Sequence, residues 1–379
     1  MAAAAVGAPS ILKGRYAVLP GVPQEYSARA VRLVAESTVV DLLCQFRFGD
    51  YRDGDPTKDR LWLTTPSAFT EEDWALYRES GVDALALGHS ARDYEDGLRF
   101  FARWNGFIAS HGHRFTRIDS VDDFQRTREA GRVGILLTFQ NSEHFRGPDD
   151  VEEFYNLGQR LSQLTYNYQN LIGAGFLEHN DGGLTVFGQR IVARMNDVGM
   201  AVDVSHCGDR TTLDAIAAST KPVVFSHATA RALLPGHMRC KTDEAIRAMA
   251  ASGGVMGINF IRFMVRLEEP VTVEHVLDHF DHVARLVGVE HVGIGSDLDI
   301  PGNASPLPPP DRPPRYDAPN FDRYRMHMNE NGRESIAGLD HARRVYDVAE
   351  GLIKRGYSDA DISLMLGGNA TRVLSEIWV

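Results

Sequence analysis

The chain has 379 residues, 43% hydrophobic and 24% charged, with a formal net charge of −11. This is the composition of a folded protein with a large core, and it excludes a disordered chain. An acidic surface argues against nucleic acid or an anionic membrane as partner, since either needs a basic face. Three cysteines are too few for a disulfide framework and point to a reducing compartment.

The opening Met1–Pro9 has no basic n-region and no long apolar core, and Lys13 and Arg15 interrupt it early. It reads as a disordered arm and lead-in over residues 1–36, not a signal peptide. No window reaches the roughly 20 apolar residues of a membrane helix. The expectation is a soluble, cytoplasmic protein acting on a small molecule, with no membrane partner.

From residue 37 onward, eight β-rich runs alternate with helical patterns. They are Ser37–Phe46, Val82–Leu87, Val133–Phe139, Leu161–Tyr166, Ala201–Ser205, Pro222–Ser226, Gly254–Phe260 and His291–Ser296. Most are near-continuous apolar runs, as parallel strands covered on both faces require. Between them, Thr242 can cap a helix whose apolar face starts with Ile246 and Met249. Eight β-then-α units predict one closed (β/α)8 barrel of the TIM type over residues 37–379. A doubly wound sheet is second, and it lacks an early G-x-G-x-x-G. The proline-rich stretch 301–319 follows the eighth strand, with only about 60 residues beyond it, so it reads as a long loop over the barrel mouth rather than a linker.

Barrel sites are built from the C-terminal ends of strands. The fifth run ends in Asp203-Val-Ser-His206, the sixth in Ser226-His227 and the eighth in Ser296-Asp297. Imidazole nitrogen and carboxylate oxygen are donors that suit a zinc-type metal. Taken singly, each histidine is more simply a hydrogen-bonded residue of the barrel mouth; together they mark a functional site. Cys44, Cys207 and Cys240 lie beside these positions. Cys44 reads as apolar packing, and Cys207 is the better candidate for a thiol nucleophile or soft ligand. His111 and His113 read as a surface turn. Asn167, Gln169, Asn170 and Glu178 either line the pocket or satisfy a long loop.

The chain resembles the membrane (renal) dipeptidase family, a branch of the amidohydrolase-like barrels. The resemblance rests on Gly183–Gly188, Met195–Met200, Val202–His206, Ser226–Leu233, Gly253–Asn259, His291–Asp297 and Leu366–Asn369. It implies a hydrolase with two zinc ions, often dimeric. Its second-metal histidines fall on His206 and His227, its strand-eight aspartate on Asp297 and its substrate-carboxylate arginine on Arg239. Four positions depart from it. Leu43 and Gln45 replace the first metal's His and Asp, Gln140 replaces the bridging Glu, and Tyr166 replaces a substrate-contacting His. Leucine has no lone pair, so the first metal site should be empty. A single zinc on His206, His227 and Asp297, or no metal at all, are both open. The expected catalytic set is Asp297, Tyr166, His206 and His227, with Arg239, Asn167 and Gln140 binding substrate. The function expected first is a dipeptidase-like hydrolase of small, carboxylate-bearing amides. A metal-independent isomerase or lyase is second, and a non-catalytic binding protein third.

Overall fold

The computed structural model describes residues 15–17, 25–46, 58–302, 336 and 338–378. The expected loop over the barrel mouth at 301–319 therefore lies almost wholly outside the described residues. Val133–Phe139 is buried at all seven positions, as a strand covered on both faces must be. It is the third of eight strands that close a cylinder. These are β1 (Val40–Cys44), β2 (Ala84–Leu87), β3 (Val133–Phe139), β4 (Gln159–Gln163), β5 (Ala201–Asp203), β6 (Val223–Ala228), β7 (Val255–Ile258) and β8 (Val292–Ile294). Each pairs in parallel with the next, and β8 returns to β1 through Ile294 opposite Asp41. All eight sequence-predicted strands are there, and the closed barrel is the architecture that was expected.

Side-chain alternation divides the core in two. Ala84 and Ala86 face inward with Val40, Leu42, Leu136 and Val224. Leu85 and Leu87 face outward into the larger cluster that the helix layer completes, to which Ile191, Ile246, Met249 and Phe280 also belong. The helix Asp243–Ala251 starts as its sequence suggests: Thr242 accepts from Ala245 N at 3.1 Å, and Ala245, Ile246 and Met249 are buried. The helix Val186–Val198 ends at Gly199, whose φ of 80° makes the short turn into β5. The C-terminal helix Asn369–Ile377 packs into the inward cluster with Trp378, which stacks on Phe124.

Among the described residues, three short strands lie outside the barrel. Phe115–Arg117 pairs with the first residues of β3, and Arg15–Ala17 pairs antiparallel with Glu25–Ser27. Part of the lead-in segment joins the helix layer. The helix Ala28–Glu36 packs beside Arg344–Lys354, and Tyr26 Oη donates to Asp347 at 2.8 Å while Ser27 Oγ donates to Glu350 at 2.7 Å. Among the described residues no helix is long and apolar enough to cross a membrane.

Candidate active site

The ends of β5 and β6 are joined by one fully buried carboxylate. Asp203 Oδ1 accepts from Ser205 N at 2.9 Å, Ser205 Oγ at 2.6 Å and Ser226 N at 3.2 Å, and Oδ2 accepts from Ser226 Oγ. The histidines that follow these serines are thereby set facing each other. His206 Nε2 and His227 Nε2 are 2.9 Å apart. His206 Nδ1 meets Asn167 Oδ1 at 2.8 Å, and His227 Nδ1 meets Ser226 Oγ at 2.7 Å. Tyr166 stacks over His206 with ring centroids 4.3 Å apart. Two imidazole nitrogens this close share one hydrogen or face one cation, because opposed lone pairs repel. Burial, then the charge of Arg239, holds both imidazoles well below their usual basicity.

Two buried cations lie beneath the pair. Arg239 Nη1 donates to Ser205 O at 2.6 Å, and Nη2 donates to His227 O at 2.8 Å. The arginine expected to grip a substrate carboxylate thus ties two strand ends together with those nitrogens. Lys241, which the sequence reading passed over, donates from Nζ to Val204 O at 2.7 Å, Cys207 O at 2.9 Å and Thr212 Oγ1 at 3.0 Å. Burial pushes its ammonium down to about 8. Between about pH 8 and its ordinary 10.5 the unfolded chain keeps a proton that the folded chain releases, so stability rises with pH. Relative to Lys241→Met, the wild type should gain up to about 1.4 kcal/mol per pH unit across that window, read by urea denaturation. A flat difference would contradict it.

The end of β8 repeats the carboxylate–serine device. Asp41, 2% exposed, accepts from Ser296 N at 2.9 Å and from Ser296 Oγ. The next residue, Asp297, has a φ of 57°, a left-handed conformation that aspartate tolerates better than most residues. Its Oδ1 accepts from Gln45 Nε2 at 2.6 Å and its Oδ2 from Asn259 Nδ2 at 3.2 Å. Gln140 is buried after β3, with its N donating to His89 O and its O accepting from Gln163 Nε2.

The structure therefore brings His206, His227, Tyr166 and Asn167 into one cluster and puts Asp297 in a second, with Gln45 and Asn259. Among the described residues no three or more His, Cys, Asp or Glu form a group that could hold a metal. The expected ligand set of His206, His227 and Asp297 is not gathered as such. Asn259 was missed, although it follows β7 directly and the strand-end rule applied there would have found it.

The cysteines are thiols held away from reactivity. Burial raises Cys44 well above its ordinary value, and raises Cys207 and Cys240 to about 11. Thr165 Oγ1 donates to Cys207 Sγ at 3.3 Å. The nucleophile reading of Cys207 gives way to packing. His111 is also not a surface residue: it caps the helix Tyr94–Ser110, is buried, and has Phe69 and Phe107 as ring neighbours. Asn170 and Glu178 satisfy their loop, Asn170 donating to Leu164 O at 2.8 Å and Glu178 accepting from Gln169 N at 2.8 Å. A cavity of about 540 Å³ is lined by Glu143, Phe145, Gln169, Asn170, Leu171 and Phe187 among others, and neither histidine of the pair is in its lining.

Residues 67–306 match the family described as membrane dipeptidase, peptidase family M19. The chain belongs to the membrane dipeptidase family. It is similar to dipeptidase verJ of Clonostachys rogersoniana, 32% identical over 251 residues, which cover 65% of this chain and 56% of that protein. Dipeptidase tcpJ of Claviceps purpurea (strain 20.1) is 28% identical over 274 residues, 70% of this chain and 56% of its own. The chain thus spans a little over half the length of these curated relatives. Its fold is also that of an amidohydrolase from Pseudomonas aeruginosa, at a TM-score of 0.75 and 26% identity, covering 92% of this chain and 99% of the other. Membrane dipeptidases are zinc enzymes, and two residues at the first-metal positions that the resemblance implies are poor zinc donors here. Leu43 offers no lone pair, and Gln45 presents N–H to Asp297 where a ligand oxygen would be needed.

Proposed function

We propose that this membrane dipeptidase relative is a hydrolase of small dipeptide-like amides that carry a free carboxylate, working with at most one metal ion. One observation carries the reading: two neutral imidazoles converge at the ends of β5 and β6, above the buried charges of Arg239 and Lys241. Fixed positive charge close to a polar cluster favours an anionic substrate group. Its relatives are named dipeptidases, which supports an amide as the bond attacked.

In this reading Asp297 accepts a proton from water as the water oxygen adds to the amide carbonyl carbon. The C–N bond then breaks as the proton held on Asp297 passes to the departing amine, which returns Asp297 to its carboxylate, while the neutral His206–His227 pair lines the reacting carbonyl. Asn167 and Tyr166 keep the His206 ring in place, and Gln140 offers its amide to the substrate. A single zinc, held by His206 and His227, would polarise the carbonyl. The direct contact between the two histidines favours a second reading, metal-free acid–base chemistry of the isomerase or lyase type on an amino-acid-derived metabolite.

Metal analysis of protein purified without added zinc separates the two. About one zinc per chain, with dipeptide hydrolysis lost to chelator, supports the hydrolase. No metal and indifference to chelator supports the second reading. Arg239→Ala should raise KM for free-carboxylate dipeptides at least tenfold more than for their C-terminal amides, as expected when a buried charge-assisted partner of about 1.5–3 kcal/mol is lost. Equal effects on both would remove Arg239 from substrate recognition.

A further inference from the structure

Gln45 is built into its position from several sides. Its backbone N donates to Leu298 O at 3.1 Å, and Asp297 N donates back to Leu43 O at 2.9 Å. Phe46 follows it in a left-handed turn, with a φ of 53°, packed between Trp62, Tyr77 and Trp104. On β2's exit, a Cβ at Gly88 would stand 2.4 Å from Gln45 Nε2. The bare glycine is what leaves the amide its place. From that place Gln45 Nε2 reaches Asp297 Oδ1 at 2.6 Å, while Asn259 Nδ2 reaches Oδ2 at 3.2 Å.

We propose that Gln45 and Asn259 together replace the first metal ion: they hold Asp297 as a fixed acceptor and, by the same bonds, keep a divalent cation off it. This rests on the reading of Asp297 as the acceptor in catalysis. An ion needs lone pairs, whereas each amide NH2 presents hydrogens. A cation at Asp297 would have to break both hydrogen bonds and would find only a hydrocarbon side chain at Leu43. The two amides supply the orientation that a metal supplies elsewhere, with hydrogen bonds to a charged acceptor in place of coordination. Gln45 and Asn259 are positioning residues.

Crystals of the full chain soaked in zinc chloride, with data collected on both sides of the zinc absorption edge, test this without any variant. The expected map has no anomalous peak within the roughly 2 Å bonding range of Asp297, with Gln45 Nε2 still on Oδ1. A zinc peak on Asp297 with Gln45 displaced overturns the proposal. Zinc counted per chain after dialysis gives a second test. Leu43→His with Gln140→Glu, which keeps Gln45, should hold no more zinc than the parent. Adding Gln45→Asp to that pair should raise the count by about one. A gain with Gln45 still in place overturns the proposal, and so does a triple variant that melts like the parent yet gains none. Failure of the parent to cleave any dipeptide would sink the hydrolase reading and leave these zinc counts standing. Zinc on Asp297 in an active enzyme would do the reverse.

Discussion

Asp297→Asn should lower kcat by about 10²–10⁴-fold, the range expected when a positioned base loses its proton-accepting charge. The change is isosteric, so the backbone at φ 57° and its bond to Leu43 O can persist. The asparagine amide nitrogen, however, must face either Gln45 Nε2 or Asn259 Nδ2, since each now points at one carboxylate oxygen. A donor opposite a donor turns the side chain out of line and adds to the loss of basicity. Steady-state kinetics on the best-cleaved dipeptide, with thermal melting as a control, provides the measurement. Both catalytic readings require the loss. A fully active variant would take Asp297 out of the chemistry.

The largest effect on stability is expected at Asp203. Replacement by Ala strips the acceptor from Ser205 N and Ser226 N, both within a fully buried wall, and from two serine hydroxyls. The hydroxyls can turn to each other, since Ser205 Oγ and Ser226 Oγ are already 3.2 Å apart. The two backbone donors cannot turn, and at about 1–3 kcal/mol each the cost should total roughly 2–6 kcal/mol. Urea denaturation should show it as a lower midpoint with an unchanged slope. Ser226 Oγ also supports His227 Nδ1, so the variant should lose activity at temperatures where it is still folded. A loss below about 1 kcal/mol would mean that water fills the gap.

The barrel was legible in the sequence because a parallel strand covered on both faces has to be an apolar run. Ser37–Phe46 and Val133–Phe139 announce themselves in that way. The strand-end rule then found His206 and His227, which do meet. It also found Asp297 but not its company. The partner Gln45 also stands at a strand end, directly after β1, but it is 252 residues away in the chain, and that the two side chains meet is a tertiary contact that no local pattern encodes. Phe115–Arg117, at three residues, is too short to show a period. Residues 111–114 do form a turn and His113 is exposed, but His111 is not on the surface, because the preceding helix carries its ring back onto Phe69 and Phe107.

The closure between β8 and β1 has a bearing on how the chain matures. Only Ile294 and Asp41 pair as ladder residues there, reinforced by the bonds Asp297 N to Leu43 O and Gln45 N to Leu298 O. During synthesis β1 leaves the ribosome some 250 residues before that neighbour exists. One of its edges stays open through translation, an invitation to wrong pairing that chaperones guard against. The slow step of maturation should be this late ring closure, and damage to the seam should surface first as poor yield of folded protein from the cell rather than as a weak catalyst.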